Sequence, residues 1–225
     1  EVLMFIDSDI SLSHAAILSL MSELDKGDIA FPKIVYETGG TLSPSNAFEE
    51  AYCMNSAVFM IRRSALQKMD MFFDEFLQIY GEDSDFFLRA KALKLKMIYC
   101  PGVEVRHPVR TAFSEDVFYQ GVKNGVYVVL KLIGIVSFRI PWLLYLLVYC
   151  GQCLFIALTR RHFHKWRPAS VPYDVPRRRL LALYFKGIMA ALGQWRRILQ
   201  IRRYLRERMK QVALSGQLSA RGGNV

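Results

Sequence analysis

The chain is poor in cysteine and, over one half of its length, nearly devoid of acid. Its 225 residues include four cysteines, Cys53, Cys100, Cys150 and Cys153. Four scattered thiols are too few for the disulfide framework of a small secreted domain, so a reducing cytoplasmic setting is the default. Cys150 and Cys153 have the Cys-x-x-Cys spacing, but they lie inside an apolar run and no second such pair exists to complete a zinc site. A core- or lipid-facing pair of thiols is the plainer reading. There is no visible signal peptide and no internal repeat.

The acid is unevenly placed. Residues 1–120 hold 11 Lys and Arg against 18 Asp and Glu, a net −7, whereas residues 121–225 hold 19 against 2, a net +17. The overall charge of +10 therefore describes the second half alone. That half is also rich in Leu, Ile, Tyr and Trp. Basic plus apolar points to an anionic membrane surface, whereas basic plus polar would have pointed to nucleic acid, which is not expected as a partner.

The apolar pattern organises the first half into alternating strands and helices. Val2 to Ile6 reads as a buried strand, and Ser11 or Ser13 can cap a helix running to about Leu24. Ile29 to Tyr36 reads as a strand whose Pro32 implies an edge or a bulge, and Thr38 to Ala47 as a loop. Ser56 to Ile61 is a third strand, Ser64 to Met69 a short helix, and Asp83 to Leu95 a helix with an acidic first turn suited to its dipole. Lys96 to Pro101 and Val103 to His107 follow as two short strands. This order predicts an α/β domain over residues 1–120.

Residues 121–167 read as apolar, membrane-associated helices. The stretch 140–159 is twenty residues without a charge, the length that crosses a bilayer core. Arg160 to Lys165 follow it, which would hold that end at the cytoplasmic face. The segment is expected to span the membrane or to lie in its interface; a buried helical pair covering the first domain is the alternative. Pro168, Pro172 and Pro176 break the chain. Residues 168–214 read as a basic amphipathic helix with Leu181, Phe185, Ile188, Leu192, Trp195 and Leu199 at helical spacing, and residues 215–225 as a disordered tail.

Two acidic clusters carry the chemistry. Asp7-Ser8-Asp9 ends the first strand, and two hard oxygen donors on a tight turn suit Mg²⁺ or Mn²⁺. An Asx turn capping the next helix explains the same tripeptide more plainly. The second cluster, Glu82-Asp83-Ser84-Asp85, opens a helix. Crowded carboxylates at element ends usually have a cation or a proton to manage. A lone His107 before Pro108 reads equally as a structural histidine.

Taken in order, these motifs resemble a known family. Asp7-Ser8-Asp9, Phe73-Asp74-Glu75, Glu82-Asp83-Ser84-Asp85 with Arg89, a strand ending at Pro101, and His107 resemble the family 2 inverting glycosyltransferases of GT-A type, the rhamnosyltransferase-like members among them. The resemblance covers roughly Glu1 to His107. It implies a nucleotide-diphosphate sugar donor, a glycan or lipid-linked acceptor, and a role in cell-envelope polysaccharide synthesis. It also implies work at the cytoplasmic face of the membrane.

Residue by residue, the resemblance makes Asp9 a ligand of Mg²⁺ or Mn²⁺ and Asp7 a donor-binding residue. Asp83 becomes the general base, Glu82 the group that tunes it, and His107 a further metal ligand. Arg62 and Arg63 would lie near the donor phosphates. The family's first βαβ unit would precede Glu1, so the 225 residues are expected to be N-terminally truncated and inactive alone. A glycine usual before Phe-Asp-Glu is replaced by Met69-Asp70-Met71-Phe72, which bears on loop geometry and acceptor fit. The competing expectations are a sugar-phosphate nucleotidyltransferase and a catalytically incomplete membrane-bound fragment.

Overall fold

A computed structural model of the chain describes residues 1–36, 41–42, 57–69, 73–108, 114–132, 134–135, 142–159 and 175–222. Cys53, most of the loop expected over 38–47, the Asp70–Phe72 stretch, the Arg160–Lys165 cluster, Pro168 and Pro172 lie outside them. The described part is a mixed α/β structure, with a five-stranded sheet followed by long helices.

The sheet is built from β1 (Val2–Ile6), β2 (Ile29–Tyr36), β3 (Thr41–Leu42), β4 (Val58–Arg62) and β5 (Met97–His107). β4 lies antiparallel between β1 and β2, while β5 runs parallel to β2 and β3 pairs antiparallel with β2. β1, β2 and β5 thus point the same way, and the carboxyl ends of β1 and β5 open at one edge of the sheet. That direction positions everything in the site described below.

Pro32 is not on an edge, because β2 pairs on both sides. The parallel ladder instead shifts register between Pro32 and Lys33, moving from Pro32 opposite Cys100 to Lys33 opposite Glu104. A residue without an N–H is tolerated where the ladder is already interrupted. The same interruption spans Pro101 to Val103 on the partner strand, which is why the two short strands expected there form one element, β5.

Side chains alternate across the sheet as strand geometry requires. Phe31, Phe59 and Ile61 pack on one face against Phe86 and Phe87 of α3 (Glu82–Ala92) and Ala65 of α2 (Arg63–Met69). Ala30, Ile34, Val58 and Met60 pack on the other against Leu20 and Leu24 of α1 (His14–Leu24). β4 is buried on both faces, so its apolar run is continuous. β1 departs from the fully buried strand expected. It is the sheet's edge, and only Leu3 and Phe5 turn inward, Phe5 stacking on Phe59 at 4.7 Å. Val2, Met4 and Ile6 are exposed.

The helical half comprises α4 (Glu115–Leu132), α5 (Trp142–Thr159), α6 (Arg177–Leu192) and α7 (Trp195–Gly222). α4 begins at Glu115, so the compositional change at 120–121 falls inside a helix. Gly187 lets α6 approach α4 closely, since a Cβ there would meet Val122 at 2.9 Å. Three sequence expectations need correction. The single basic helix is two helices, separated at Gly193–Gln194. Residues 215–222, expected as a disordered tail, continue α7. The membrane span expected at 140–159 is not upheld: among the described residues no helix is long and apolar enough to cross a membrane. α5 instead buries Cys153 and Ala157 against Phe118 of α4 and Leu183 of α6. Burial pushes the Cys153 thiol up to about 11, unlike a reactive or zinc-binding cysteine.

Candidate metal and donor site

The end of β1 delivers the first cluster. Asp7 N–H donates to Ala57 O at 2.8 Å, closing the β1–β4 ladder, and Ile10 N–H then donates back to Asp7 O at 3.1 Å. This turn projects Asp7-Ser8-Asp9 beyond the sheet. The next helix, α1, is capped by Ser13, whose hydroxyl accepts from Ala16 N–H at 3.1 Å. The Asx-cap explanation of Asp7 and Asp9 is thereby removed, because Ser13 does that work.

β5 ends at the same edge and brings His107 alongside. His107 Nε2 lies 3.7 Å from Asp7 Oδ2, and one ligand atom from each of Asp7, Asp9 and His107 falls within 4.8 Å of the others. His107 Nδ1 lies 2.7 Å from Pro108 O. A carbonyl only accepts, so Nδ1 carries the proton and the lone pair of the neutral ring sits on Nε2, facing Asp7. Two electron-rich atoms so placed call for a proton or a cation between them. Hard carboxylate oxygens with one imidazole nitrogen fit Mn²⁺ or Mg²⁺ better than a soft metal.

The second cluster arrives on α3. Glu82, Asp83 and Asp85 form its acidic first turn. Asp83 Oδ1 accepts from Ser84 N–H at 2.6 Å, fixing that carboxylate against the helix start. Burial pushes the Glu82 carboxyl above the ordinary glutamate range; a backbone hydrogen bond opposes this, and the charges of Asp83 and Asp7 add to it. Glu82 therefore feels Asp7.

The turn before α3 is held by a residue that no motif in the sequence singles out. Tyr80 and Gly81 are both left-handed, with φ of 63° and 89°. A tyrosine there is strained and persists only if its surroundings fix it. Asn124 of α4 does so, its side-chain amide donating to Ile79 O and Tyr80 O, each at 2.7 Å. The fit is close, since a Cβ on Gly81 would lie 3.3 Å from Asn124 Cβ. Lys123, Asn124 and Lys131 interrupt the apolar stretch that α4 carries from Gly121 onward, the one signal that could have found them.

One turn further, α3 is locked to the helical half by buried charge. Lys131 Nζ lies 2.7 Å from Asp74 Oδ2 and 2.6 Å from Asp85 Oδ1, and Arg89 Nε lies 2.8 Å from Asp85 Oδ2. Asp74 also accepts from Tyr127 O–H at 2.7 Å and from Arg197 of α7 at 2.7 Å. Burial alone would raise the Asp74 carboxyl, but the Lys131 ammonium, the Tyr127 hydroxyl and the Phe76 N–H outweigh it and hold it well below the carboxylate range. Asp85 and Arg89 are thus packing groups inside the fold.

Arg62 and Arg63 are not brought to the site. β4 is antiparallel to β1, so Arg62 sits opposite Val2, about 14 Å along the strand from Ile6. Arg62 is spent on Gly27 O, Leu24 O and Asp25 at the end of α1, and Arg63 pairs with Glu1. The resemblance placed them near the donor phosphates, whereas the antiparallel pairing of β4 with β1 puts them at the opposite end of the sheet.

Set beside known proteins, the chain matches no family model and no curated sequence.

Proposed function

We propose that the protein is a metal-dependent inverting glycosyltransferase that moves a sugar from a nucleotide-diphosphate donor to a hydroxyl of a glycan or lipid-linked acceptor. One observation carries this reading: one ligand atom from each of Asp7, Asp9 and His107 falls within 4.8 Å of the others where β1 and β5 end. Asp7, Asp9 and His107 would hold Mg²⁺ or Mn²⁺. When bound there, the cation supplies Lewis-acid stabilisation to the departing diphosphate.

The remaining work falls to the carboxylates on α3. Asp83 accepts the proton of the acceptor hydroxyl as that oxygen bonds to the anomeric carbon and the bond to the nucleotide diphosphate breaks on the opposite side. Glu82, whose carboxyl burial raises, stands beside Asp83 at the start of α3. Tyr80, Gly81 and Asn124 fix where both groups stand. In the whole natural protein, Asp83→Asn is expected to lower transfer at least about a hundredfold while donor affinity stays nearly unchanged. Loss of donor binding, with transfer lost only in proportion, would make Asp83 a ligand and overturn its assignment as base.

A further inference from the structure

α6 is apolar on two faces, and only one of them has a protein partner. Leu180, Leu183, Tyr184, Gly187 and Ala191 are buried against the neighbouring helices. On the opposite side Phe185, Met189 and Leu192 are 59%, 66% and 41% exposed, and Trp195 and Leu199 of α7 continue the row at 51% and 36%. The steps between them are four, three, three and four residues, so they form one stripe. A contiguous exposed stripe of large apolar side chains marks an interaction surface.

The same two helices carry exposed cations. Arg178, Lys186, Arg196, Arg203, Arg206 and Lys210 are all exposed on the same two helices. Three contacts run in step along the chain: Arg179 with Glu115, Gly187 against Val122, and Arg202 donating to Leu130 O. α6 and α7 therefore follow α4 in the same direction as one bent rod, which keeps the stripe and its cations on one elongated element.

We propose that this rod lies in the plane of an anionic bilayer surface, with the stripe at the boundary of headgroups and acyl chains and the arginines at the level of the lipid phosphates. Charge selects this occupant. A second copy would set one cationic surface against another in a half whose net charge is +17. Nucleic acid would face a greasy centre that offers its phosphates nothing. An anionic bilayer satisfies both parts: Trp195 suits the interfacial layer, and each basic residue near the surface adds to the attraction. The rod lies on the surface and does not cross it. The inference is independent of the transferase reading.

Sedimentation of the whole polypeptide with phosphatidylcholine vesicles containing about a third phosphatidylglycerol tests it, with pure phosphatidylcholine as the reference. The triple variant F185S/M189S/W195S changes only exposed side chains, and circular dichroism checks that it folds. It is expected to lose binding about a hundredfold. R196Q/R203Q/R206Q is expected to lose binding to the anionic vesicles by a similar factor and to leave the residual binding to neutral ones unchanged. Four outcomes would overturn the proposal. These are wild-type binding that ignores lipid charge, variants that bind as wild type, and a dimer abolished by the serine variant in the absence of vesicle binding. The fourth is binding to duplex DNA, lost only in the arginine variant, without binding to vesicles.

Discussion

The acidic sheet half and the basic helical half solve opposite problems with charge. The sheet half gathers carboxylates at its surface edge, around Asp7 and Glu82, where a cation or a proton can neutralise them. The helical half sends cations inward: Lys131 is fully buried between Asp74 and Asp85, and Arg197 reaches the same aspartate. The helices are therefore part of the site's support. Asn124 and Lys131 on α4 fix the turn and the first helical turn that carry Glu82 and Asp83.

Severing the two halves at Lys131 should have the largest effect. Lys131→Met leaves Asp74 and Asp85 buried with too little positive charge, at a cost of about 3–5 kcal/mol, read as a large fall in Tm. A Tm within a degree or two of wild type would mean the buried network contributes little. Asn124→Ala removes two hydrogen bonds to the strained turn and should cost about 2 kcal/mol. If α4 positions the base-bearing helix, transfer should fall more than donor affinity; equal falls in both would make Asn124 merely structural.

Arg197→Ala should cost less than either, about 1 kcal/mol, because its side chain is 42% exposed and water replaces part of the pairing. Acid provides the most graded test. Asp74 titrates in the folded protein well below the unfolded aspartate value of about 4. Its contribution is complete above that value and is lost as the pH falls through the folded pKa. Denaturant titrations at descending pH should therefore show stability falling, and Asp74→Asn should flatten that slope while lowering stability at neutral pH. An unchanged slope would contradict the assignment.

What the sequence made legible was local. The run Val2–Ile6, the helix capped by Ser13 and the acidic start of α3 follow from residue type and spacing within a few positions, and so did Asp7, Asp9 and His107 as candidates. What depended on partners far along the chain was not legible. The direction of β4 is set by pairing, and it carried Arg62 and Arg63 away from the expected place. Pro32 signals an interruption but cannot tell an edge from a bulge. Leu180 and Phe185 are both apolar on α6, and only packing against α4 and α5 decides which is buried. Asn124 is one of several polar residues on α4 until the Tyr80–Gly81 turn is seen beside it.

Titration of Mn²⁺ into the polypeptide, followed by electron paramagnetic resonance, tests the central claim that the ends of β1 and β5 form a cation site beside α3. Asp9→Asn and His107→Ala should each weaken binding by about tenfold or more, while Arg62→Ala, at the opposite end of the sheet, should leave it unchanged. Equal Mn²⁺ affinity in the wild type, Asp9→Asn and His107→Ala would contradict the account.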